Sequence, residues 1–565
     1  MFLAQIPPHI PPQDVIPPLQ QPSPVPEQPE TPPAPEEVLP DPTMPIPPEI
    51  LLDSKETITV TEFEFVDNTI FSSEQLAKEI TDKYLNQTLS LQQLLNIAAE
   101  VAQFYAAAGY STSGAVISLP EVTRQEGKGV VRIIVIESKL EAINLVPVGK
   151  QRLNPNYVRS RLEVEPGDIL NVSKLQEQLQ LLQLNPLITR VAAQLSEGSQ
   201  PGLNQLELQV VEAPSFNLPL SINNGRSPSV GSFQRQVTAR EGNLLGLGDA
   251  LSVGYGNSDG SNVWSFGYTL PVNSGNGTLG FNYSYTTSDV IEPPFEAVNI
   301  ESESQNHELT FRQPVVQSIR QQTFQELALG VTASWRDSQT FLFGFPFPLS
   351  PGADDDGKTN VFALRLFQEW TQQDARQVLA FRSEFSFGLD AFNSTVNETP
   401  AGSEVVPDSR FFSWRGQGQW IRLLGEDTLF LVRGNLQMAN KTLLSAEEFA
   451  LGGFGSVRGY RQNVLSTDNG FFASAELQLP ILKVPEEGVL QIIPFLDYGV
   501  GWNSSDVANP DPQTLIGTGL GLQWQDRAGI FSARFDWGIP LVDVDNRERT
   551  WQENGLYFSV QWRGF

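Results

Sequence analysis

Arg458 and Asp497 are the two residues whose surroundings best suit a specific contact. Arg458 stands in Val457-Arg458-Gly459-Tyr460, directly after the glycine-rich run Gly452-Gly453-Phe454-Gly455-Ser456. Asp497 stands in Phe495-Leu496-Asp497-Tyr498-Gly499, which opens an alternation. Leu496, Tyr498, Val500 and Trp502 share one face of a strand, and Phe495, Asp497, Gly499 and Gly501 share the other. A strand with one wholly apolar face and one face of glycines and a charge suits a membrane barrel wall, with lipid outside and a lumen inside. The glycines leave room beside Asp497, so a loop folding into the pore can bring Arg458 against it. The alternative is an unrelated surface arginine and a lumenal aspartate. An enclosed ion pair adds little net stability, but removing one member leaves an unpaired charge costing about 3–5 kcal/mol when fully buried, and less in a wet lumen.

Other chemistry is scarce. The chain has no cysteine, which excludes disulfides and thiolate metal sites. Its two histidines are His9, in a proline-rich stretch, and His307, in a polar one, so neither a Ser-His-Asp triad nor a histidine metal site is expected. Asp354-Asp355-Asp356 lacks EF-hand spacing and reads as a solvated loop rather than a calcium site. Gly453-x-Gly455 has no helix signal after it, so it reads as a tight loop rather than a nucleotide cradle. No catalytic residue, metal or cofactor is expected. The 36 basic against 65 acidic residues, a net charge of -29, argue against nucleic acid as a partner.

The elements that must position Arg458 and Asp497 follow from periodicity. Residues 1–53 hold eighteen of the 42 prolines and predict an extended or disordered tail, without a packed core. Residues 54–138 read β-α-α-β-β: Thr57 to Val66 is β-rich, Ser72 with Gln75 and Ser90 with Gln93 open two helices as capping boxes, and Gly109 ends the second. Residues 139–213 repeat the order, with Leu175, Leu179 and Leu182 on a helix that Asn185-Pro186 terminates. No flexible linker separates the two units, so they should be held rigidly.

From residue 214 to 565 helical periodicity gives way to alternation. Trp264, Phe266, Tyr268 and Leu270 alternate with small polar residues, as do Leu279, Phe281, Tyr283 and Tyr285. About sixteen such segments of about ten residues predict a transmembrane antiparallel β-barrel. A soluble sandwich would charge its outer face. Here the second face is rich in Gly, Ser, Thr and Asn. No apolar run is long enough for a transmembrane helix. The terminal Phe565 is out of parity with Phe558, Val560 and Trp562, which predicts a bulge at Gly564.

Together these residues resemble the two-partner secretion outer-membrane transporters (TpsB; haemolysin secretion/activation ShlB/FhaC/HecB type), within the POTRA-plus-barrel superfamily. The most specific stretch runs from Leu181-Leu182-Gln183-Leu184-Asn185-Pro186-Leu187 through Leu195-Ser196-Glu197-Gly198 to Leu206-Glu207-Leu208, similar to the second POTRA domain of that family. Asn243-Leu244-Leu245-Gly246-Leu247-Gly248-Asp249 is also family-like, and Val457-Arg458-Gly459-Tyr460 with Phe495-x-Asp497-x-Gly499 is superfamily-wide. The resemblance implies two periplasmic α+β POTRA domains, at 54–138 and 139–213 (the latter ShlB type), before a barrel in the bacterial outer membrane. It implies that Arg458, on the sixth extracellular loop, pairs with Asp497 inside the barrel. It also implies a large secreted β-rich partner captured by the POTRA domains and threaded through the pore, with outer-membrane lipid around the barrel and the barrel assembly machinery reading Phe565. Residues 1–53 depart from the family, being too proline-rich for the long helix that plugs better-studied members. The rival readings are a barrel insertase of the same superfamily and a general porin.

Overall fold

The computed structural model describes residues 38–39, 57–120, 123, 126–399, 405–504, 507–544 and 549–564. Phe565 and nearly all of the proline-rich segment lie outside the described residues. The chain divides into a unit spanning residues 32–213 and a second containing residues 214–565.

The first unit begins with a four-stranded sheet made of β1 (Thr57–Val66), β2 (Thr88–Ser90), β3 (Gly114–Ser118) and β4 (Lys128–Ile136), in the order β2-β1-β4-β3. The three-residue β2 is too short to show a period, and sequence alone missed it. The short helix α1 (Ser73–Leu76) forms only half of the expected capping box, Ser72 Oγ accepting from the Gln75 amide at 3.2 Å. Helix α2 (Leu91–Ala107) forms the whole box, because Gln93 also reaches back to the Ser90 amide at 2.8 Å. Its apolar face (Leu94, Ile97, Val101, Tyr105) buries against Val131, Ile133 and Val135 of β4.

The repeat follows with β5 (Lys139–Pro147), α3 (Pro155–Arg159), α4 (Val172–Gln183), β6 (Ile188–Glu197) and β7 (Leu203–Glu212), in sheet order β5-β7-β6. Leu175, Leu179 and Leu182 of α4 pack on Leu206 and Leu208. Two residues of the proline-rich segment join this core: Val38 and Leu39 are buried in it, and the Leu39 carbonyl accepts from Gln176 Nε2 at 3.0 Å. At those two positions the expected unpacked tail does not hold, because the sheet and α4 leave an apolar groove that a Val-Leu pair fills.

A direct backbone joint links the repeats. Gly109, with φ +94°, ends α2, and its carbonyl accepts the Val172 amide at 2.8 Å, where α4 begins. Asn171 caps the same helix through Lys174 N and donates to the Ala108 carbonyl. One helix end therefore satisfies the orphan groups of the next. A Cβ on Gly109 would lie 2.6 Å from Asn171 Oδ1.

The second unit is a closed antiparallel barrel. Its strands are β8 (Phe216–Asn223), β9 (Gln234–Gly242), β10 (Ala250–Asn257), β11 (Ser261–Pro271), β12 (Thr278–Asp289), β13 (Ile300–Arg320), β14 (Thr323–Leu342), β16 (Lys358–Gln373), β17 (Gln377–Leu389), β18 (Phe412–Gly425), β19 (Thr428–Ala439), β22 (Asn469–Val484), β23 (Gly488–Trp502), β24 (Thr514–Asp526), β25 (Phe531–Pro540) and β26 (Leu556–Gly564), sixteen in all; β15 (Phe345–Pro346) is a two-residue addition beside β14. β26 pairs with β8 from Ser559↔Asn223 to Gly564↔Leu218 without a register shift, and the step from Gly564 to Phe565, where the bulge is expected, lies outside the described residues. Strands β13 and β14, at 21 and 20 residues, are twice the expected length. Exposed Trp264, Phe281, Leu309 and Phe311 stand outward, while Ser302, Ser304, Ser334 and Ser338 are buried inward. His307 lies between Tyr283, tilted at 4.8 Å, and Trp335, stacked at 5.0 Å, in an aromatic row. The Asp354 carboxylate accepts the Asp356 and Lys358 amides in a turn. Among the described residues no cluster could hold a metal ion.

Candidate functional site

Residues 440–468, between β19 and β22, fold into the bore rather than over it. A short hairpin of β20 (Phe449–Leu451) and β21 (Leu465–Thr467) forms the loop's stem. Glycine is required at the tip. Gly459 has φ +101°, and a Cβ there would meet Pro540 N at 2.8 Å. Side chains at Gly517 and Gly538 of the wall would run into the backbone of Arg458 and Gly459. At Gly499 a Cβ would meet Val457 Cγ2 at 2.8 Å. Glycines on both sides thus let loop and strand backbones touch, an approach that a Cβ would prevent.

The contact brings Arg458 to Asp497. Arg458 is 1% exposed and its partner 0%. The guanidinium donates through Nε to Asp497 Oδ2 at 2.7 Å and through Nη2 to Oδ1 at 2.8 Å, a bidentate fork. The Arg458 backbone amide adds a third bond to Oδ2 at 3.1 Å, and Ser474 Oγ donates to Oδ1 at 2.6 Å. Phe495 lies beneath, its ring centroid 3.5 Å from the guanidinium carbon. The motif residues have separate tasks. Val457 and Tyr460 are buried in the tip's apolar cluster with Leu451 and Leu515. The Tyr460 hydroxyl sits 2.9 Å and 3.0 Å from the carbonyls of Ile516 and Val542.

Several members of the site were not foreseen. Glu476 of β22 accepts from Arg458 Nη1 at 2.7 Å and pairs with Arg534, which also bonds Asp536. Its inward parity on β22, beside Ser474, was the available signal. The Tyr557 hydroxyl donates to the Tyr460 carbonyl at 2.6 Å and accepts the Gly459 amide. Arg461 spans to Glu292 at 2.6 Å and to Ser229 Oγ at 2.6 Å.

The stem has its own anchor. Glu447 Oε1 lies 2.7 Å from Arg365 Nη2 of β16, both groups at most 5% exposed. Arg336 of β14 donates to the Ala446 carbonyl at 3.0 Å, and Gln437, itself bonded by Arg415 of β18, donates to the Glu447 carbonyl at 2.9 Å. The stem's ion pair stands on β16 and the tip's on β23, five strands apart around the ring of sixteen. The loop is therefore a strut with two separate charged footings on the barrel wall. The arrangement can fix or release a backbone segment inside a channel.

Residues 202–524, more than half of the chain, match the family model described as haemolysin secretion/activation protein ShlB/FhaC/HecB. The chain belongs to this family. A ShlB-type POTRA model matches residues 58–138, the first α+β repeat; the second stands on its architecture. The heme/hemopexin transporter protein HuxB of Haemophilus influenzae (strain 86-028NP) is 24% identical over 507 residues, covering 83% of this chain and 81% of that one. The outer membrane transporter CdiB of Dickeya dadantii (strain 3937) is 22% identical, covering 79% and 76%. Among solved structures, CdiB from Escherichia coli has a TM-score of 0.68 at 21% identity, covering 92% of each chain. BamA from Haemophilus ducreyi without its first three POTRA domains gives 0.52 at 14%, covering 89% of this chain and 100% of that one, a likeness of fold alone. The protein is thus a TpsB-type outer-membrane transporter of two-partner secretion, with its amino-terminal domains in the periplasm.

Proposed function

We propose that the POTRA domains recognise one unfolded secreted protein and that the barrel passes it across the outer membrane as an extended chain. Unpaired sheet edges suit this capture, since an unfolded client can add as a strand held mainly through its backbone. The observation that carries the reading is the loop inside the closed barrel. Its buried footing at Arg458, Asp497 and Glu476 holds a segment where a polypeptide would have to pass. In this reading Val457, Arg458, Gly459 and Tyr460 close the path at rest, Phe495, Asp497 and Gly499 receive them, and Phe565 serves barrel assembly. Lipid surrounds the apolar exterior, no catalytic step is involved, and folding of the client outside biases direction.

Deleting the gene tests this. Export predicts that one large polypeptide disappears from the medium while other outer-membrane barrels keep their levels. The fold likeness to BamA supplies the rival, an insertase, whose loss would deplete many barrels at once. Threading further predicts that a client locked by disulfides before export stalls, whereas undiminished export of the locked client would refute it.

A further inference from the structure

Below the loop tip, on the side of the short turns, lies a cavity of about 400 Å³, walled in part by Gly529 and Ile530 of the β24–β25 turn. Three of its four arginines share one carboxylate, and the fourth, Arg563 of β26, is exposed. Arg458, Arg534 and Arg433 all face the carboxylate of Glu476, at 2.7, 3.2 and 3.6 Å. Gln419 of β18, Gln478 of β22, Gln523 of β24 and Gln561 of β26, four of the five glutamines on the lining, differ in kind. Among the described residues their side-chain amides form no hydrogen bond to protein. Four strands thus present neutral groups to the cavity, each carrying both donors and an acceptor.

We infer that this chamber is a binding site for the backbone of an extended polypeptide. The inference rests on the export reading and deepens it. A peptide group offers one N–H and one C=O, and a side-chain amide is the group that pairs with both at once. Because the match is to backbone, it tolerates any client sequence. Mutual pairing of Arg458, Arg534 and Arg433 with Glu476 keeps these three from selecting acidic clients or holding them too tightly. As the chain enters and sheds water, the glutamines replace the lost hydrogen bonds, which would otherwise go unmet at a cost.

The chain's lack of cysteine makes a direct test simple. Gln523→Cys is introduced into the full-length protein in detergent micelles. Two probes of equal length are offered, a Gly/Ser repeat peptide and polyethylene glycol, each ending in one thiol activated for disulfide exchange. A small activated thiol gives the intrinsic reactivity of the site. Gln419, Gln478 and Gln561 are then changed together to Leu, and retention of the folded barrel is read from its electrophoretic shift on heating. The peptide should be trapped severalfold faster than the polymer, and the Leu changes should abolish that advantage. Equal trapping of both probes, or no trapping of either while the small thiol reacts, would overturn the inference. Both outcomes are independent of whether deleting the gene abolishes secretion, so failure of the chamber and failure of the export reading remain distinguishable.

Discussion

At the residue scale, Arg458 carries the most consequence. Arg458→Ala leaves the buried Asp497 without its cation, while Glu476 keeps Arg534 and Arg433, at a cost of about 3–5 kcal/mol if the site stays dry and less if water enters. The barrel's strand pairing does not depend on that side chain. The variant should therefore insert and keep its heat-dependent electrophoretic shift, while export of the partner collapses. Undiminished export would remove Arg458 from the account. Lysine is no substitute, because it cannot fork to both Asp497 oxygens or lie flat on Phe495. Glu137 in the first POTRA domain gives a second prediction at this scale. Burial pushes its carboxyl up, but the Ile70 amide (2.8 Å), the Thr69 amide (2.7 Å) and the Thr69 hydroxyl, with Tyr105, hold it below its ordinary value. A depressed carboxyl stabilises fully above its unfolded value, near 4.3, and loses that contribution as pH falls through the folded one. Hydrogen exchange at Thr69 and Ile70 in the full-length protein should accelerate as the pH drops below about 4, beyond the intrinsic pH trend, and Glu137→Gln should remove that excess.

At the element scale the loop is a strut, and its two footings should fail separately. Glu447→Gln keeps the shape of the stem but removes the charge facing the buried Arg365, a loss of about 3–5 kcal/mol if the site stays dry and less if water enters. With Arg458 still seated, export should persist while planar-bilayer recordings show more frequent openings. An unchanged record would mean that the stem bears no load. The joint between the POTRA domains is the second element-scale device. Gly109→Ala imposes a left-handed backbone on alanine, costing about 1–2 kcal/mol, and drives its Cβ into Asn171. The Val172 and Ser173 amides, which donate to the Gly109 carbonyl, should then exchange faster than those in the middle of α4. Here the sequence was partly legible. The glycine after α2 read as a helix stop, which is local information. Its second task depends on Asn171, and no periodicity links the two.

At the scale of the whole molecule, the barrel was legible because each strand repeats one rule, apolar outward and small polar inward, so sixteen weak signals reinforced one another. The Arg458–Asp497 contact was named from its glycines and from family resemblance. Its wider setting was not. Glu476, Gly517, Gly538 and Tyr557 come from separate strands and meet only because the sheet closes, which makes them contacts of register rather than of sequence. Glu447 escaped notice for the same reason, its partners Arg365 and Gln437 lying on β16 and β19. Val38 and Leu39 show the opposite failure, since a compositional argument over a proline-rich stretch overlooked one apolar pair that a groove could accept.

The central claim is that the loop tip at rest stands in the path of the exported chain and must leave it. Val457 and Gly499 are close enough to be stapled: a Cβ on Gly499 would lie 2.8 Å from Val457 Cγ2, and replacing Val457 by cysteine puts a sulfur in place of the branched methyl groups it would meet. Val457→Cys with Gly499→Cys in this cysteine-free chain fixes the tip to β23 when oxidised and frees it when reduced. The rate of partner export should fall to background in the oxidised state and return on adding reductant, with each single variant unaffected by either condition. Equal export with the staple closed and open would contradict the account.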